Sequence, residues 1–395
     1  GNRGKGGGLI DEYIDKMFMF ILFGLLMIIV SLILAIFKID IKIAGILIVS
    51  GIGAFVTSER ILKIHFTENR KRMILSNNPK PGKLKYLIMI LLQQHINHQR
   101  SLCATAFSQA NLAAEWHTLQ QQITPQLTQL ALSSDYAINI LCQFPHVFWH
   151  MYQQGDLAQA QPRPYYHQQL TQLLADKTTD FLWMQSIRQY RQQAMLRWIY
   201  RDVNNLCTLA ELTDELSEFA EASIDAAIAY AIKPLQARYG EPIGEDSNQV
   251  QKLVVIGMGK LGAQELNLSS DIDLMFSYPE AGETNGRSVL SNQEFFIKLG
   301  QQIIKLLDQQ TADGFVFRID MRLRPWGDGS ALALSFAAME RYYEKHGREW
   351  ERYAFIKARI VAGDTAQGQE LLSTLKPFVY RRYIDYSAFA ALRDM

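Results

Sequence analysis

The chain has 395 residues, enough for two or three domains, and its 40 basic and 39 acidic side chains give a formal net charge of +1. This balance excludes the strongly basic surface that is typical of nucleic-acid-binding proteins, so we predict no nucleic-acid partner. The three cysteines, Cys103, Cys142 and Cys207, form no C-x-x-C pair. They therefore argue against a zinc site and a disulfide framework, and they suit a reducing cytoplasm.

The first part of the chain has the composition of a membrane segment. Residues 17–37 are a run of 21 residues without a charged side chain, which at about 1.5 Å per residue can cross a bilayer core of ~30 Å. A second, shorter apolar run follows at 43–56. We predict a transmembrane helical hairpin in residues 1–76, with spans at about 17–38 and 39–58, and basic flanks that put both ends in the cytoplasm. A secretory signal or buried core helices are less favoured alternatives.

A change in composition marks the end of this segment. Glutamine is absent from residues 1–92, but more than twenty glutamines occur in residues 93–250. Because residues 77–82 are also rich in asparagine, proline and glycine, we predict a linker or junction at 77–100. The chain is then either a membrane-tethered protein or two unrelated reading frames joined together, and the glutamine jump favours the second.

Residues 101–245 are predicted to be helical. Apolar side chains recur there every three or four residues between Gln, Glu and Arg, and the longest such run covers 208–239. The tryptophans of this region are predicted to be buried anchors: Trp116, Trp149, Trp183 and Trp198. Three arginines are interpreted as a solvated face rather than a basic surface beside a site: Arg188, Arg191 and Arg197.

Two aspartates one residue apart, Asp271 and Asp273, open an apolar run that continues to Phe276. Side chains alternate faces along a strand, so the two carboxylates share one face while Ile272 and Leu274 point to the other. Carboxylates this close repel each other unless a cation lies between them, and Mg²⁺ is a hard cation that prefers oxygen ligands. The pattern therefore favours a metal site for phosphoryl or nucleotidyl chemistry over a solvated turn.

A third acid lies in residues 315–324, which alternate polar and apolar side chains and are predicted to form a half-buried strand that Pro325 ends. Asp320 would share the polar face with three arginines and complete the metal set with Asp271 and Asp273. We predict that Arg322 and Arg324 bind phosphate oxygens. Two ions about 3.5–4 Å apart could hold the attacking and leaving oxygens of an in-line displacement. An exposed, salt-bridged sheet face is the alternative.

A glycine-rich turn at 257–262 follows the apolar residues 253–256 and matches G-x-G-x-x-G. Dinucleotide-binding proteins share this pattern, but they carry a single acid about twenty residues later rather than two acids within a strand. We therefore predict a turn that opens a helix whose N–H groups face a phosphate. The predicted phosphate-binding residues are Gly257, Gly259, Lys260, Ser269 and Ser270, with a turn or capping role as an equal alternative for the two serines.

Four long motifs carry a family resemblance. They are GMGKLGAQELNLSSDIDL at 257–274, RIDMRLRPWGD at 318–328, YYEKHGREWERYAFIKAR at 342–359 and PFVYRRYIDYS at 377–387. Together they resemble the bacterial bifunctional glutamine synthetase adenylyltransferases/adenylyl-removing enzymes, a family of polymerase-beta-like nucleotidyltransferases. The chain looks most like the adenylyl-removing half of that family. Ala263 and the residues 329–331 depart from the expected pattern without touching the acids.

The resemblance implies an α+β fold. A polymerase-beta-like nucleotidyltransferase domain with a mixed sheet would occupy 246–395, truncated at its C-terminus, flanked by helical regions and preceded by the membrane hairpin. Arg348 and Arg352 would bind nucleotide or phosphate, whereas Lys357 and Arg359 fit an exposed charged helix, and Trp350 and Tyr353 fit the core.

The resemblance also implies a reaction and its partners. With Mg²⁺ and with ATP, ADP and phosphate as substrates or products, the chain would remove AMP from adenylyl-tyrosine of glutamine synthetase by phosphorolysis, giving ADP. Adenylylation with ATP and a non-catalytic module that binds glutamine synthetase are the alternatives. A PII signalling protein is a possible partner. The catalytic part is expected in the cytoplasm, tethered to the membrane if the hairpin is authentic.

Overall fold

The computed structural model describes residues 81–380, with side chains from residue 88 onward. The predicted spans at 17–38 and 39–58 lie outside the described residues. Within residues 81–380, none of the helices combines the length and apolar character needed to cross a bilayer.

The N-terminal part of the described chain, where we predicted a helical region at 101–245, is helical as far as Tyr239. Its helices are α1 (Pro81–Gln109), α2 (Ala113–Gln122), α3 (Thr124–Ser133), α4 (Asp135–Gln143), α5 (Pro145–Gln154), α6 (Tyr165–Leu174), α7 (Asp180–Val203) and α8 (Leu209–Tyr239). Helix α1 covers residues 81–100 without a break, so this part of the linker or junction predicted at 77–100 is helical, and its role as a junction stays a prediction. No glycine or proline follows Gly82 within α1, so nothing interrupts the helix.

Two compact units divide the described chain, one made of 81–97 with 131–136 and the other of 98–130 with 137–380. In the smaller unit, the His95 ring nitrogen lies 3.0 Å from the carbonyl oxygen of Ala131. In the larger unit, the Sγ atoms of Cys103 and Cys142 lie 3.7 Å apart as free thiols. The spacing of these two cysteines in the sequence gave no sign of this contact, because α1 and α4 bring them together across 39 residues.

Helix α8 connects the helical region to the sheet. It begins at a capping box in which the Thr208 hydroxyl accepts the Glu211 N–H and the Glu211 carboxylate accepts the Thr208 N–H. Phe219, fully buried in the middle of α8, lies 5.5 Å from the Trp198 ring and 5.8 Å from the Phe317 ring, measured between centroids. Because Phe317 comes three residues before Asp320, the third predicted acid, this packing holds the segment that carries Asp320 against α8.

A mixed sheet follows α8, as the sequence predicted. Its strands are β2 (Val254–Gly257), β3 (Ile272–Tyr278), β5 (Ile319–Asp320), β6 (Ala333–Ser335) and β7 (Arg359–Gly363), while β1 (Pro242–Gly244) and β4 (Gly282–Thr284) form a separate antiparallel pair. The order is β5-β3-β2-β7, and β6 also pairs with β3. Strand β2 is antiparallel to β3 and β7, whereas β5 and β6 are parallel to β3.

Helices cover the sheet. They are α9 (Gly259–Gly262), α10 (Asn292–Asp308), α11 (Phe336–Lys345), α12 (Glu349–Phe355) and α13 (Thr365–Val379). Val254, Ile256 and Met275 belong to a buried cluster with Tyr342 and Tyr343 of α11. On α10, Gly300 is so close to the sheet that a Cβ there would lie 2.7 Å from the Phe276 ring. This packing fixes β3, the strand that carries Asp273.

Several charged residues lie elsewhere than the sequence suggested. The predicted strand at 315–324 shrinks to the two residues of β5. Before β5 the N–H groups of Val316 and Phe317 donate to the Leu307 carbonyl, and after it the N–H of Arg324 turns back to the Met321 carbonyl at 3.3 Å. Arg359 lies in β7 and not on a helix.

Arg188 and Arg197 are buried, so their interpretation as a solvated face is wrong. Arg188 instead donates to the main-chain oxygens of Met184, Leu306, Gln309 and Gly314.

Candidate active site

The register of β3 and β5 brings two of the three predicted acids side by side. The parallel pairing puts Ile272 opposite Ile319 and Asp273 opposite Asp320. Asp271 comes just before β3 and is exposed, while Ile272 and Leu274 are fully buried, as the alternation predicted. Asp273 and Asp320 are therefore neighbours on adjacent strands although 47 positions separate them in the sequence.

Two of the acids are paired with arginines. The Arg322 guanidinium binds the Asp320 carboxylate through Nε at 2.9 and 3.0 Å and through Nη2 at 2.5 Å. Arg318 Nε lies 2.5 Å from Asp271 Oδ1. No hydrogen bond or ion pair joins the Asp273 carboxylate to another side chain of residues 88–380. Asp273 is thus the acid left open to a ligand.

The electrostatic environment separates Asp273 from Asp320. Burial, followed by the negative charges of Asp320 and Asp271, raises the pKa of Asp273, and Arg322 and Lys260 only partly oppose this effect. The hydrogen bond from Arg322 lowers the pKa of Asp320. An acid of raised pKa between two like charges is the arrangement that a cation relieves.

We expect Asp273→Asn to raise the melting temperature of the chain in metal-free buffer at pH 7. A carboxyl whose pKa is higher in the folded chain binds protons preferentially there, so ionised Asp273 destabilises the fold above the unfolded pKa of about 3.9. The amide removes that penalty. Thermal unfolding as a function of pH checks this: the gain should be largest at neutral pH and vanish below about pH 4. A lower melting temperature at pH 7 would contradict it.

The glycine turn lies against Asp273. Gly259 has φ +54°, and a Cβ at this position would lie 2.5 Å from Asp273 Oδ2, so both the backbone conformation and the space require glycine. The N–H of Met258 donates to the main-chain oxygen of Asp273 at 2.9 Å. The predicted helix after the turn is only the four residues of α9. At Gly257 a Cβ would lie 2.5 Å from Val361, so the structure gives this glycine a packing role.

The two serines fold into the turn before β3. Ser270 Oγ donates to Asn267 Oδ1 at 2.7 Å, and the Ser269 N–H donates to the same oxygen at 3.2 Å. Lys260 Nζ lies 3.4 Å from Ser270 Oγ. These contacts favour the turn role for the serines, and they hold Lys260 beside the acids.

The residues present fit a hard cation in part. The donors that lie together, Asp273 and Asp320, are carboxylates, which suits Mg²⁺. Among the residues that the structure describes, no three His, Cys, Asp or Glu side chains converge closely enough to hold an ion. Asp271 is turned to Arg318 instead, so its part in a three-acid set stays a prediction that requires this ion pair to open.

The remaining predicted site residues behave differently. Arg352 is buried, pairs with Glu349 at 3.3 Å and lies 4.9 Å from the Phe378 ring centroid, contacts that bind α12 to α13. Arg348 is exposed at the start of α12. Trp350 is 38% exposed, so its predicted core position is wrong.

Arg324, in the segment after β5, is buried. Of the predicted arginines, Arg322 has the contacts expected of a group at the site.

Glu221 and Arg359 form a clamp that the sequence did not reveal. Arg359 Nη2 lies 2.6 Å from Glu221 Oε1 and 3.0 Å from the Leu261 carbonyl oxygen, and Arg359 Nε donates to the Gly262 carbonyl at 3.1 Å. Arg163 Nη1 reaches the other Glu221 oxygen at 2.9 Å. The clamp therefore holds the C-terminal end of α9, and with it the glycine turn, against α8 and β7.

We expect Arg359→Met to lower the free energy of unfolding by about 2–3 kcal/mol, because it removes the donor to one oxygen of the buried Glu221 carboxylate and to the Gly262 carbonyl, and one of the donors to the Leu261 carbonyl. Lys357→Met is the matched control, since Lys357 pairs with Glu265 at 2.8 Å and both side chains are at least half exposed. It should cost less than about 1 kcal/mol. Urea denaturation compares the two, and equal losses would show that the clamp is no more than a surface ion pair.

Comparison with known proteins gives relatives for most of this chain. Residues 124–374 match the sequence profile of the family described as Glutamate-ammonia ligase adenylyltransferase. A protein of Acinetobacter baylyi named bifunctional glutamine synthetase adenylyltransferase/adenylyl-removing enzyme is 54% identical over 272 residues, which cover 69% of this chain and 29% of that protein. Its namesake in Pseudomonas syringae pv. tomato is 44% identical over 308 residues, 77% of this chain and 31% of the relative. The chain thus spans less than a third of the length of these relatives.

Proposed function

This chain belongs to the glutamate-ammonia ligase adenylyltransferase family, and we propose that it catalyses Mg²⁺-dependent nucleotidyl transfer on glutamine synthetase through a polymerase-beta-like domain. The proposed direction is removal: an oxygen of inorganic phosphate attacks the adenylyl phosphorus and the bond from that phosphorus to the tyrosine oxygen breaks. The tyrosine oxygen leaves and takes up the proton that the attacking phosphate loses, and ADP is the second product. The motifs at 257–274 and 342–359, which are most like an adenylyl-removing half, support this direction.

One observation carries the proposal. Asp273 and Asp320 face each other across β3 and β5, with Lys260 and Arg322 close enough to lower the pKa of Asp273 against the effect of burial. Two carboxylates flanked by two cations form an arrangement that suits a metal ion and a phosphate together. A purely structural ion-pair group would not leave the Asp273 carboxylate without a hydrogen-bond partner among the side chains of residues 88–380, beside a glycine that admits no side chain.

Each residue then has a role that follows from its contacts. Asp273 and Asp320 would hold the ion, and Mg²⁺ when bound would polarise the phosphoryl oxygens and neutralise their charge. Arg322 exchanges its hold on Asp320 for phosphate oxygens, and Lys260 compensates negative charge that develops during displacement. Gly259 lets the phosphate approach the main chain, because no Cβ fills the space next to Asp273.

The test uses adenylylated glutamine synthetase with the chain, Mg²⁺ and inorganic phosphate, and measures ADP. ADP that appears only when phosphate and the chain are both present supports removal. Incorporation of AMP from ATP into unmodified glutamine synthetase would instead establish adenylylation, and binding without either product would establish a non-catalytic module. Regulation by a PII protein, an active site in the cytoplasm and a membrane tether stay predictions beside this proposal.

A further inference from the structure

Trp326 is an exposed aromatic side chain on an unusual backbone. It is 56% exposed, and its φ of +63° puts a bulky side chain in the left-handed region that non-glycine residues rarely occupy. Gly327 follows with φ +57°. Such a conformation persists only where the surroundings hold it, and exposed tryptophan gains nothing for the core, so the two features together point to a ligand.

The surroundings hold the Trp326 ring in place. Its centroid lies 4.8 Å from the Tyr342 ring at 70° and 4.7 Å from the His346 ring at 51°. Tyr342 is itself fixed by a 2.8 Å hydrogen bond from its hydroxyl to Glu351. The indole is therefore supported from α11 while more than half of its surface remains open, which is the arrangement of a rigid stacking platform.

The platform lies next to the proposed phosphate site. The segment after β5 turns back on itself, so that a Cβ on Gly327 would lie 3.7 Å from the carbonyl oxygen of Arg322. Arg324 stabilises the turn by accepting the Gly327 N–H on its carbonyl oxygen at 2.8 Å and by binding Asp328 at 3.3 Å. One short segment thus presents a cation for phosphate and, four residues later, an open aromatic ring.

We propose that Trp326 stacks on the adenine base of the transferred nucleotide, whose phosphates lie at Arg322. This inference rests on the proposed function and adds the base-binding subsite to it. An aromatic ring and a guanidinium four residues apart on one segment that turns back on itself suit the two chemically different ends of a nucleotide, and every base has a face on which an aromatic ring can stack. A protein partner that contacts Trp326 alone would make no use of the neighbouring Arg322.

The experiment measures the affinity of the chain for ADP in Mg²⁺ buffer by calorimetry. Trp326→Ala should weaken ADP binding by roughly tenfold or more, and Trp326→Phe should keep most of the affinity, because a smaller ring still stacks. Trp350→Ala is the matched control: Trp350 is another exposed tryptophan of the same unit, and its removal should leave ADP affinity unchanged. Pyrophosphate, which has no base, should bind the parent and Trp326→Ala equally.

The opposite results overturn the proposal in distinguishable ways. ADP affinity unchanged in Trp326→Ala, while ADP still forms from adenylylated glutamine synthetase, would remove the stacking role and leave the proposed function intact. Weaker binding of glutamine synthetase with unchanged ADP affinity would assign Trp326 to the protein target. Equal losses for ADP and pyrophosphate would mean that the substitution disturbs Arg322. A parent chain that neither binds nor forms ADP would refute both proposals.

Discussion

We expect Asp273→Asn to reduce ADP formation from adenylylated glutamine synthetase by about 1000-fold or more, the range lost when a group that stabilises transferring phosphoryl charge is removed. The amide keeps the size of the carboxylate, but it is a poor ligand for Mg²⁺ and carries no charge. Asp273 has no partner among the described side chains, so the substitution breaks no hydrogen bond. Single-turnover assays at saturating Mg²⁺ and phosphate would measure the loss.

The matched control is Asp176→Asn. Asp176 is a highly exposed aspartate whose ion-pair partner is the adjacent Lys177, and it should change the rate less than twofold, on the order expected for an exposed charge. Asp273→Asn should also melt at a higher temperature than the parent, which would rule out unfolding as the cause of lost activity. An active Asp273→Asn protein would remove the chemical basis of the proposed function.

The second large effect is expected at Glu215, which lies on α8 and is buried with two arginines of α7. Its carboxylate accepts from Arg197, from Arg201 at 2.6 Å and from the Trp198 indole at 3.0 Å. Burial alone would raise the pKa of Glu215, but the hydrogen bond and charge of Arg197, together with hydrogen bonds from the Gln161 N–H and the Trp198 indole, outweigh burial and lower the pKa. We expect Glu215→Ala to cost about 3–5 kcal/mol, because two guanidinium groups are left buried and unpaired.

Asp214→Ala provides the comparison in the neighbouring position. Asp214 pairs with Arg163 at 2.8 Å, and both side chains are at least one-third exposed, so its removal should cost no more than about 1 kcal/mol. The midpoints of urea denaturation for the two variants would decide the matter. A carboxyl whose pKa is lower in the folded chain than in the unfolded chain stabilises the fold at pH values above its unfolded pKa, and this stabilisation is lost as the pH falls through the folded pKa. The difference in unfolding free energy between the parent and Glu215→Ala should therefore become smaller in acid. Equal losses of unfolding free energy for Glu215→Ala and Asp214→Ala would mean that Glu215 and the two arginines do not form a buried ion-pair cluster in solution.

The sequence was a good guide to the sheet because its signals are local. Alternation of apolar and polar residues around Asp273 predicted a strand with both acids on one face, and the glycines predicted the turn before it. We predicted that Asp320 would join both Asp271 and Asp273; the structure puts Asp320 beside Asp273, while Asp271 pairs with Arg318. The sequence did not predict the turn at Arg324. The apolar–polar alternation at 315–324 continues through this turn, although the backbone hydrogen bonds there close the turn and do not pair strands.

Charged residues in the helical region were the hardest to predict. Arg188 and Arg197 have the spacing of a solvated helix face, yet each is buried on acceptors from distant parts of the chain, main-chain oxygens for Arg188 and Glu215 for Arg197. Glu221 and Arg359 lie 138 positions apart, so no window of sequence could have joined them. Burial of a charge depends on partners that only the tertiary structure supplies.

The way β5 and β6 pair with the same strand has an evolutionary consequence. β5 pairs with the start of β3 and β6 with its end, so the twelve residues from Met321 to Leu332 leave one edge of the sheet and rejoin it a few residues further along. Beyond Arg322, this connection can change its length and side chains while its two ends stay paired with β3. Ligand preference at Trp326 is thus free to diversify without moving the carboxylates at which the chemistry is proposed to take place.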